Sequence, residues 1–576
     1  LIEVRMASDK LVVRILNEVA DLLEIKGVEY KPRAYRRAAR QVDSLTDDLE
    51  EVYSRGELES IPSVGENISK KIAEILDSGK LQYHEELKQE IPIDPLLLKV
   101  RNLGPKKMKK IWEELDVTTL EELEEAGKEN RIRELKGFGA RSEENIMKGL
   151  EIVKKSQGRA HISEVLPVAR EIIEELDASG SFFELEFAGS LRRRRYDIGD
   201  VDILATTGNR GEAMESFVSL ANADEVLSKG ETKGSIRTDS GLRVDLRIVD
   251  RESLGAAKQY FTGSQQHNVR MRQRAIADGY KLNEYGLFKK ESEEKIAGSE
   301  EEEIYGKLDL DWIPPELREA RGEIEAAESG DLPDLIERED INGDLHCHSD
   351  RSSDGEIPVE ILGKEAESRG YSYLAVTDHA ETAGIVGGLT DSEVQEHMEE
   401  VKRINEGLEG PELLAGVEAN VQKDGTLDLS SDSLSKLDIV LAGVHSHFDL
   451  GEEDMTRRLV RAIENEHVDI VAHPTGRKLG ERGSFDLNWK EVFARARETG
   501  TALEINASPA RTDLDDKLIK RAIGGGVTLS IGTDSHRVKH LDFMEFGVYL
   551  ARRGWCETGN LLNTLSLPDF KDWLNS

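Results

Sequence analysis

VTLSIGTDSH, residues 527–536, opens as an apolar, β-prone run, turns at Gly532 and ends on Asp534 and His536. Six more runs of this kind precede it: GDLHCH (343–348), YLAVTDH (373–379), LLAGVEAN (413–420), DIVLAGVHS (438–446), VDIVAHP (468–474) and TALEIN (501–506). All but TALEIN lead into a His, Asp or Glu, and charged, helix-like stretches fill most of the gaps. Seven strand-plus-helix units predict a closed parallel barrel, a distorted (β/α)7-like fold with its chemistry at the carboxyl ends of the strands. His346 and His348 alternate on one strand and so face one way. Asp354 follows in a polar loop; His379, Glu418, His445 and His473 each follow a run, and Asp534 and His536 close the last. Six histidines and three carboxylates exceed what one ion needs and suit two or three ions such as Zn2+, Mn2+ or Fe2+. Such ions make a nucleophile of water near neutral pH, and phosphorus is the expected target. A lone buried His is more often hydrogen-bonded core, but that does not account for six at strand ends. Asp350 rivals Asp354 as a ligand, and His447 is expected on the substrate side. Arg477 is a candidate phosphate contact, and Cys347, on the opposite strand face, is expected in the core.

A chain of 576 residues is too long for one core, and roughly three to five domains are expected. Two cysteines give no disulfide framework and fit a reducing cytosol. No apolar run reaches membrane-spanning length and no secretory leader is visible, so a cytoplasmic protein without membrane contact is expected. The net charge of -37 repels polyanions unless the acid is a solvated surface, as in a salty cytosol, with basic patches kept for nucleic acid. Such patches exist: KPRAYRRAAR (31–40) and KVRNLGPKKMKKIW (99–112) contain no acid, and Arg192 to Arg195 form a basic run.

Residues 1 to about 160 read as almost all helix, with a weak repeat. IPSVGENISKKIAEIL (61–76), VRNLGPKKMKKIWEEL (100–115) and LKGFGARSEENIMKGL (135–150) each place an apolar residue and a Gly-bearing turn before an amphipathic helix. Such hairpins expose backbone N–H groups to phosphate and bind a duplex without reading bases. Gly65, Gly104 and Gly139, with Lys71, Lys106 and Lys107, are the candidate DNA contacts.

In GSLRRRRYDIGDVDIL (189–204), Asp200 and Asp202 stand two apart on a predicted strand, and Asp245 in RVDLRIV completes a carboxylate triad. Three converging carboxylates describe a site for two Mg2+ ions in nucleotidyl transfer. Gly189 and Ser190 form a turn suited to phosphates, and Arg193 is placed to neutralise them.

These residues, with YFTGSQQHNVRMR (260–272), resemble the palm of the family X DNA polymerases, and the chain from 341 resembles their C-terminal polymerase and histidinol phosphatase (PHP) domain. The resemblance implies an N-terminal helical DNA-binding domain (1–85), helical fingers with helix-hairpin-helix motifs (86–160) and a nucleotidyltransferase α+β palm (161–265). A thumb (266–325), a linker (326–340) and the PHP phosphoesterase (341–576) follow. It implies metal binding by Asp200, Asp202 and Asp245, and triphosphate binding by Gly189, Ser190 and Arg193. Tyr260, Phe261 and Gly263 would shape the sugar pocket; Asn268 would reach the base edge and Arg272 the template side. His267 stands where some relatives carry an aromatic residue. Lys71 falls at the position of a lyase amine found in some members, and Asn67 departs from the basic residue some of these carry. The expected protein is a monomeric repair polymerase that takes gapped or primed duplex DNA and deoxynucleoside triphosphates. The expected barrel activity is 3′→5′ exonuclease action. The alternatives are a small-molecule phosphatase barrel, or a DNA-binding scaffold with weakened catalysis.

Overall fold

The computed structural model describes residues 8–28, 30–43, 49–78, 80–100, 103–156, 159–380, 388–479 and 482–576. The chain divides into two compact units, 1–160 and 161–576.

The first unit is helical. Its longer helices, Ser8–Lys26, Lys31–Asp43, Glu66–Ser78, Pro105–Leu115 and Ala140–Ser156, close over one apolar core that includes Leu16, Ile72, Met108 and Ile146. The repeat read from sequence has one geometry in three copies. Val64 N–H donates to Ile61 O at 3.0 Å, Leu103 N–H to Val100 O at 3.0 Å and Phe138 N–H to Leu135 O at 2.9 Å. Gly65, Gly104 or Gly139 then precedes a helix whose early amides return to that glycine's carbonyl. Nothing lies within 4 Å of a Cβ placed on any of the three, so each turn presents open backbone. Arg101, in the second copy, lies outside the described residues.

The second unit begins with a five-stranded mixed sheet: β1 (Glu184–Phe187), β2 (Val201–Thr206), β3 (Ala223–Lys229), β4 (Lys233–Thr238) and β5 (Arg243–Ile248), in the order β1-β2-β5-β4-β3. β2 and β5 are parallel, with Asp202 directly opposite Asp245. The helices Leu254–Thr262 and Gln265–Ala277 lead to a small antiparallel sheet of β6 (Tyr280–Asn283), β7 (Gly286–Lys289) and β8 (Lys295–Ala297).

The barrel follows as seven parallel strands in sequence order: β9 (Gly343–Cys347), β10 (Tyr373–His379), β11 (Glu412–Asn420), β12 (Ile439–Gly443), β13 (Ile470–Val471), β14 (Ala502–Asn506) and β15 (Leu529–Gly532). Almost every strand residue is buried, as expected of a parallel sheet covered on both faces. The last strand meets the first at the carboxyl rim, where His348 N–H donates to Ser535 O at 2.8 Å and Asp534 N–H to His346 O at 2.9 Å. The opposite mouth is filled by apolar side chains and by the C-terminal helix Leu567–Leu574, whose Phe570 stacks on Tyr373 at 4.8 Å. The open rim is therefore the one that carries the predicted ligands.

Polymerase-like and barrel segments meet through buried arginines. Arg553, on the helix Met544–Arg553, donates to Arg193 O at 2.7 Å, to Glu319 at 3.0 Å and to Asp516 at 2.5 Å. The stretch 326–340, read as a linker, is packed here: Ile336 is buried and its carbonyl accepts from Arg552 at 2.7 Å. Glu319 also takes Arg193 Nε at 3.0 Å and faces Arg195 at 3.8 Å. Burial acts to raise its pKa, but the three arginines outweigh burial and hold it at about 2. A carboxyl depressed in the folded state stabilises above its unfolded pKa, and that stability is lost as pH falls through the folded value. Glu319→Gln should cost about 2 kcal/mol at pH 7, since burial of Arg193 takes back part of the gain. The deficit should shrink progressively below about pH 4.5. Urea melts of both proteins between pH 7 and 3 check this.

Candidate active sites

The nine barrel residues predicted as ligands meet in one cluster, with Glu418 at its centre. Glu418 Oε1 lies 2.7 Å from His473 Nε2 and 3.0 Å from His445 Nε2; its Oε2 lies 3.0 Å from His379 Nδ1 and 3.5 Å from His346 Nε2. Asp534 Oδ1 is 3.4 Å from His348 Nε2 and 3.7 Å from His536 Nδ1. Asp354 Oδ2 is 3.3 Å from His536 Nε2 and 3.9 Å from His379 Nε2. Three overlapping triads, His348–His379–His536, His346–His348–Asp534 and His379–Glu418–His445, each bring ligand atoms within 4.8 Å of one another. His348 and His379 belong to two triads each, which links the three positions in a chain.

Divalent cations fit this cluster. His379 Nδ1, Glu418 Oε2 and His445 Nε2 are buried and close to partners, yet off hydrogen-bond geometry, and His445 Nδ1 is buried with no hydrogen-bond partner among the described residues. The Nε2 atoms of His346 and His348 face each other at 3.1 Å, an arrangement that needs a proton or a cation between them. Burial penalises charge on His346, His348, His473 and His536, and the neighbours then split their pKa values. Glu504, Asp534 and Glu418 hold His346 well above its ordinary range, while His379 and His536 help burial push His348 down to about 3. Against burial, Asp354 and Asp534 hold His536 at about 9; burial and Arg511 take His473 to about 4. His473 and Asp534 have φ of 33° and 53°, left-handed backbone of the kind that collects at functional sites.

Sequence reasoning passed over Glu504. It lies inside TALEIN, on β14, and supplies no rim ligand. Its Oε1 sits 2.6 Å from His346 Nδ1, while its Oε2 accepts His473 N–H at 2.6 Å and Asn506 Nδ2 at 3.1 Å. Such a carboxylate fixes the imidazole and leaves its Nε2 on the side of His348 and Glu418, where it would be free to hold a cation. Glu504→Gln should weaken metal retention by about 10–100-fold, as measured by competition with a chelator. Arg477, the candidate phosphate contact, is committed elsewhere: it donates to Arg511 O at 2.9 Å and to Thr512 O. Asp350 and His447 are exposed, and Cys347 is buried.

In the palm, pairing of β2 with β5 sets Asp202 beside Asp245, and Asp200 is half-buried just before β2. Gly189 has φ +60°, and a Cβ there would stand 2.3 Å from Asp202 Oδ2, so the turn backbone rests on that carboxylate. Asp245 accepts Arg243 Nε at 2.9 Å and Nη2 at 3.0 Å. Burial works to raise its pKa, but hydrogen bonds from Arg243 and Ser235 and the charge of Lys233 bring it below the usual range. Ser190 is half-buried in the same turn. Arg193 is bound to Glu319 and to Thr262 O, and Gly263 lies against it, 3.1 Å from Nη1 to a Cβ built on the glycine. The YFTGS segment therefore packs against Arg193, which follows the Gly189 turn. Tyr260 and Phe261 rings meet edge to face at 5.1 Å, with Arg247 over Phe261 at 4.3 Å. Asn268 donates to Tyr260 O at 2.6 Å and accepts from Gln259 at 2.9 Å; Arg272 is half-buried on the same helix. His267 is fully buried between Glu323 at 2.8 Å and Tyr305 at 3.1 Å, a packing histidine.

In the helical unit, Lys106 is exposed and Lys107 half-buried on the first turn after Gly104, with Lys107 Nζ 5.9 Å from the Phe138 ring centre. Lys71 is half-buried, its Nζ 4.7 Å from the Tyr83 ring centre. No helix among the described residues is long and apolar enough to cross a membrane.

Family models match four parts of the chain: a helix-hairpin-helix domain at 8–81, a SAM-like helix-hairpin-helix tandem at 94–151, the DNA polymerase beta thumb at 257–319 and a PHP domain at 344–507. The chain is 38% identical over 567 residues to the DNA polymerase/3'-5' exonuclease PolX of Bacillus subtilis, covering 98% of each protein. The barrel region alone resembles a "Probable phosphatase" of Thermoanaerobacter sp., 30% identical over 34% of this chain and 78% of that protein. A "Probable phosphatase" of Proteus mirabilis is 29% identical over 35% of this chain and 81% of that protein. The 38% identity with PolX over nearly the whole length of both proteins, together with Asp202 opposite Asp245 in the palm and a ring of nine His, Asp and Glu side chains at the barrel rim, leads to one assignment: the chain belongs to the family X DNA polymerases that carry a C-terminal PHP domain.

Proposed function

We propose that the chain is a DNA-directed polymerase that fills short gaps during repair, joined to a metal-dependent 3′→5′ exonuclease in its barrel. The observation that supports this is two separate groups of candidate ligands: Asp202 opposite Asp245 on adjacent palm strands, and the Glu418-centred ring in the barrel, where three His/Asp/Glu triads are close enough to hold a cation.

In the palm, Asp200, Asp202 and Asp245 hold two Mg2+ ions, which supply the charge that activates a primer 3′-hydroxyl and steadies leaving pyrophosphate. Asp245, which accepts from Arg243, would lie near the primer end and hold a cation there. Ser190, Arg193 and the backbone at Gly189 hold the β- and γ-phosphates, and the triphosphate competes with Glu319 for the Arg193 guanidinium. Tyr260, Phe261 and Gly263 shape the sugar pocket; Asn268 reaches the base edge and Arg272 the template side.

In the barrel, His346, His348, Asp354, His379, Glu418, His445, His473, Asp534 and His536 hold two or three Zn2+, Mn2+ or Fe2+ ions, which ready water for attack on phosphorus. Glu418 and Asp534 would offer carboxylate oxygens to these cations, and Glu504 would keep His346 oriented toward them. The helix-hairpin-helix turns at Gly65, Gly104 and Gly139, with Lys71, Lys106 and Lys107, bind the duplex backbone. The protein acts as a cytoplasmic monomer on gapped or primed DNA and deoxynucleoside triphosphates. Phosphate-directed binding makes the affinity fall steeply with salt. A gapped-duplex titration at rising KCl should give a log–log slope of several units, and a flat line would count against the hairpin contacts.

A second reading has one observation in its favour: the barrel alone resembles proteins named as phosphatases. An end-labelled gapped duplex, incubated with and without deoxynucleotides under Mg2+ and Mn2+, separates the two. Extension with nucleotides and stepwise 3′ shortening without them supports the first reading. Extension with no shortening, alongside release of phosphate from a small phosphomonoester, supports the second.

A further inference from the structure

A guanidinium lies among the barrel ligands that the metal set does not use. Arg511 is in the loop after β14, the strand that provides no rim ligand. Its Nε donates to Asp534 Oδ2 at 3.0 Å, and Asp534 Oδ1 faces His348. Its Nη1 is buried with no hydrogen-bond partner among the described residues. Glu418, Glu504 and Asp513 also lie within electrostatic reach.

The loop is built to hold this side chain in place. Arg511 and Thr512 N–H groups turn back to Ser508 O at 2.9 and 2.8 Å. Asp513 pairs with Asn506 across the loop, and its carboxylate accepts Thr475 N at 3.0 Å and Thr475 Oγ1 at 2.8 Å. Arg477 clamps the Arg511 and Thr512 carbonyls. Thr475 and Arg477 follow the ligand His473, so the loop is anchored to a neighbouring part of the same rim.

Leaving a buried guanidinium donor unpaired is costly, because charged groups lose more than neutral ones on desolvation. When two divalent cations are bound, they and Arg511 together outweigh Asp354, Glu418, Glu504 and Asp534 by about one charge. A cluster with excess positive charge and a fixed, unfilled N–H donor lacks an anion. A phosphodiester has the matching charge and acceptor oxygens.

We propose that Arg511 is a catalytic residue of the barrel, gripping a non-bridging oxygen of the scissile phosphate, with Arg477 as its positioning residue. This rests on the hydrolytic reading of the barrel. In the step it serves, a water oxygen bonds to phosphorus and loses its proton. The bond from phosphorus to the 3′-oxygen of the preceding nucleotide breaks with its electron pair on that oxygen, which takes up a proton. Charge on the non-bridging oxygens grows along this path, and a guanidinium fixed beforehand stabilises it.

The test uses the full-length, metal-loaded chain, with Arg511→Met and Arg511→Lys beside wild type. Rates of 3′ shortening, inhibition by inorganic phosphate, metal content and primer extension are measured on each. Arg511→Met should lower kcat for shortening by about 100-fold and weaken phosphate inhibition at least about tenfold, with metal content and extension at wild-type levels. Arg511→Lys, which keeps the charge and loses the fork, should fall between. Shortening within about threefold of wild type and unchanged phosphate inhibition in Arg511→Met would overturn the proposal. So would loss of metal in step with activity, which would make Arg511 only a support for Asp534. A wild-type chain that extends primers but never shortens them would instead remove the exonuclease reading itself.

Discussion

Replacing Asp202 by Ala should lower templated extension by about three orders of magnitude or more, and should leave stepwise 3′ shortening at the wild-type rate. The size of the effect follows from what Asp202 does in the palm. It stands opposite Asp245 on the adjacent parallel strand, and the Gly189 turn lies on its carboxylate. Removing it would take away a carboxylate proposed to hold the cations and would loosen the Gly189 turn that rests on it. The barrel ligands come from other strands of other sheets, so shortening has no reason to change. Single-nucleotide incorporation under saturating Mg2+ measures the first effect, and shortening without nucleotides measures the second.

Glu418→Gln does the reverse. Shortening should fall by about three orders of magnitude and bound metal should drop, while extension should persist. Glu418 is fully buried and is approached by His346, His379, His445 and His473, all within 3.5 Å. Burial acts to raise its pKa, but the four histidines outweigh burial and hold its carboxyl well below the ordinary carboxylate range. An amide keeps the volume and removes the charge that gathers these rings around cations. Elemental analysis of the purified variant, set beside its extension rate, separates loss of the cluster from loss of the fold.

Much of this architecture was legible before any coordinates, for a physical reason. Strands of a parallel barrel are buried on both faces, so each stands out as an apolar run, and a rim ligand at its end breaks that run visibly. Even β13, only Ile470–Val471 as a strand, was marked by VDIVAHP. The edge strand Ala223–Lys229 was not legible, because its side chains are mostly exposed and show no alternation. The residues that orient the ligands were harder still. Glu504 sits mid-strand, where a single acid between apolar neighbours carries no signal of its hydrogen bond to His346. Arg511 lies in a polar loop and becomes significant only when that loop folds back onto Asp534. Arg477 was suggestive beside HPTG, yet its donors go to two carbonyls, a contact that requires knowing where the β14 loop runs. Glu319 gave no sign of the three arginines that share it, since these come from segments up to 234 residues away.

The most direct measurement is the anomalous signal from crystals of the full chain soaked in Mn2+. Peaks between Asp202 and Asp245, together with a second, separate group of two or three peaks inside the ring of His346, His348, His379, Glu418 and Asp534, are what the two-centre account requires. Density in only one of these places, or cations held by other residues in both, would contradict it.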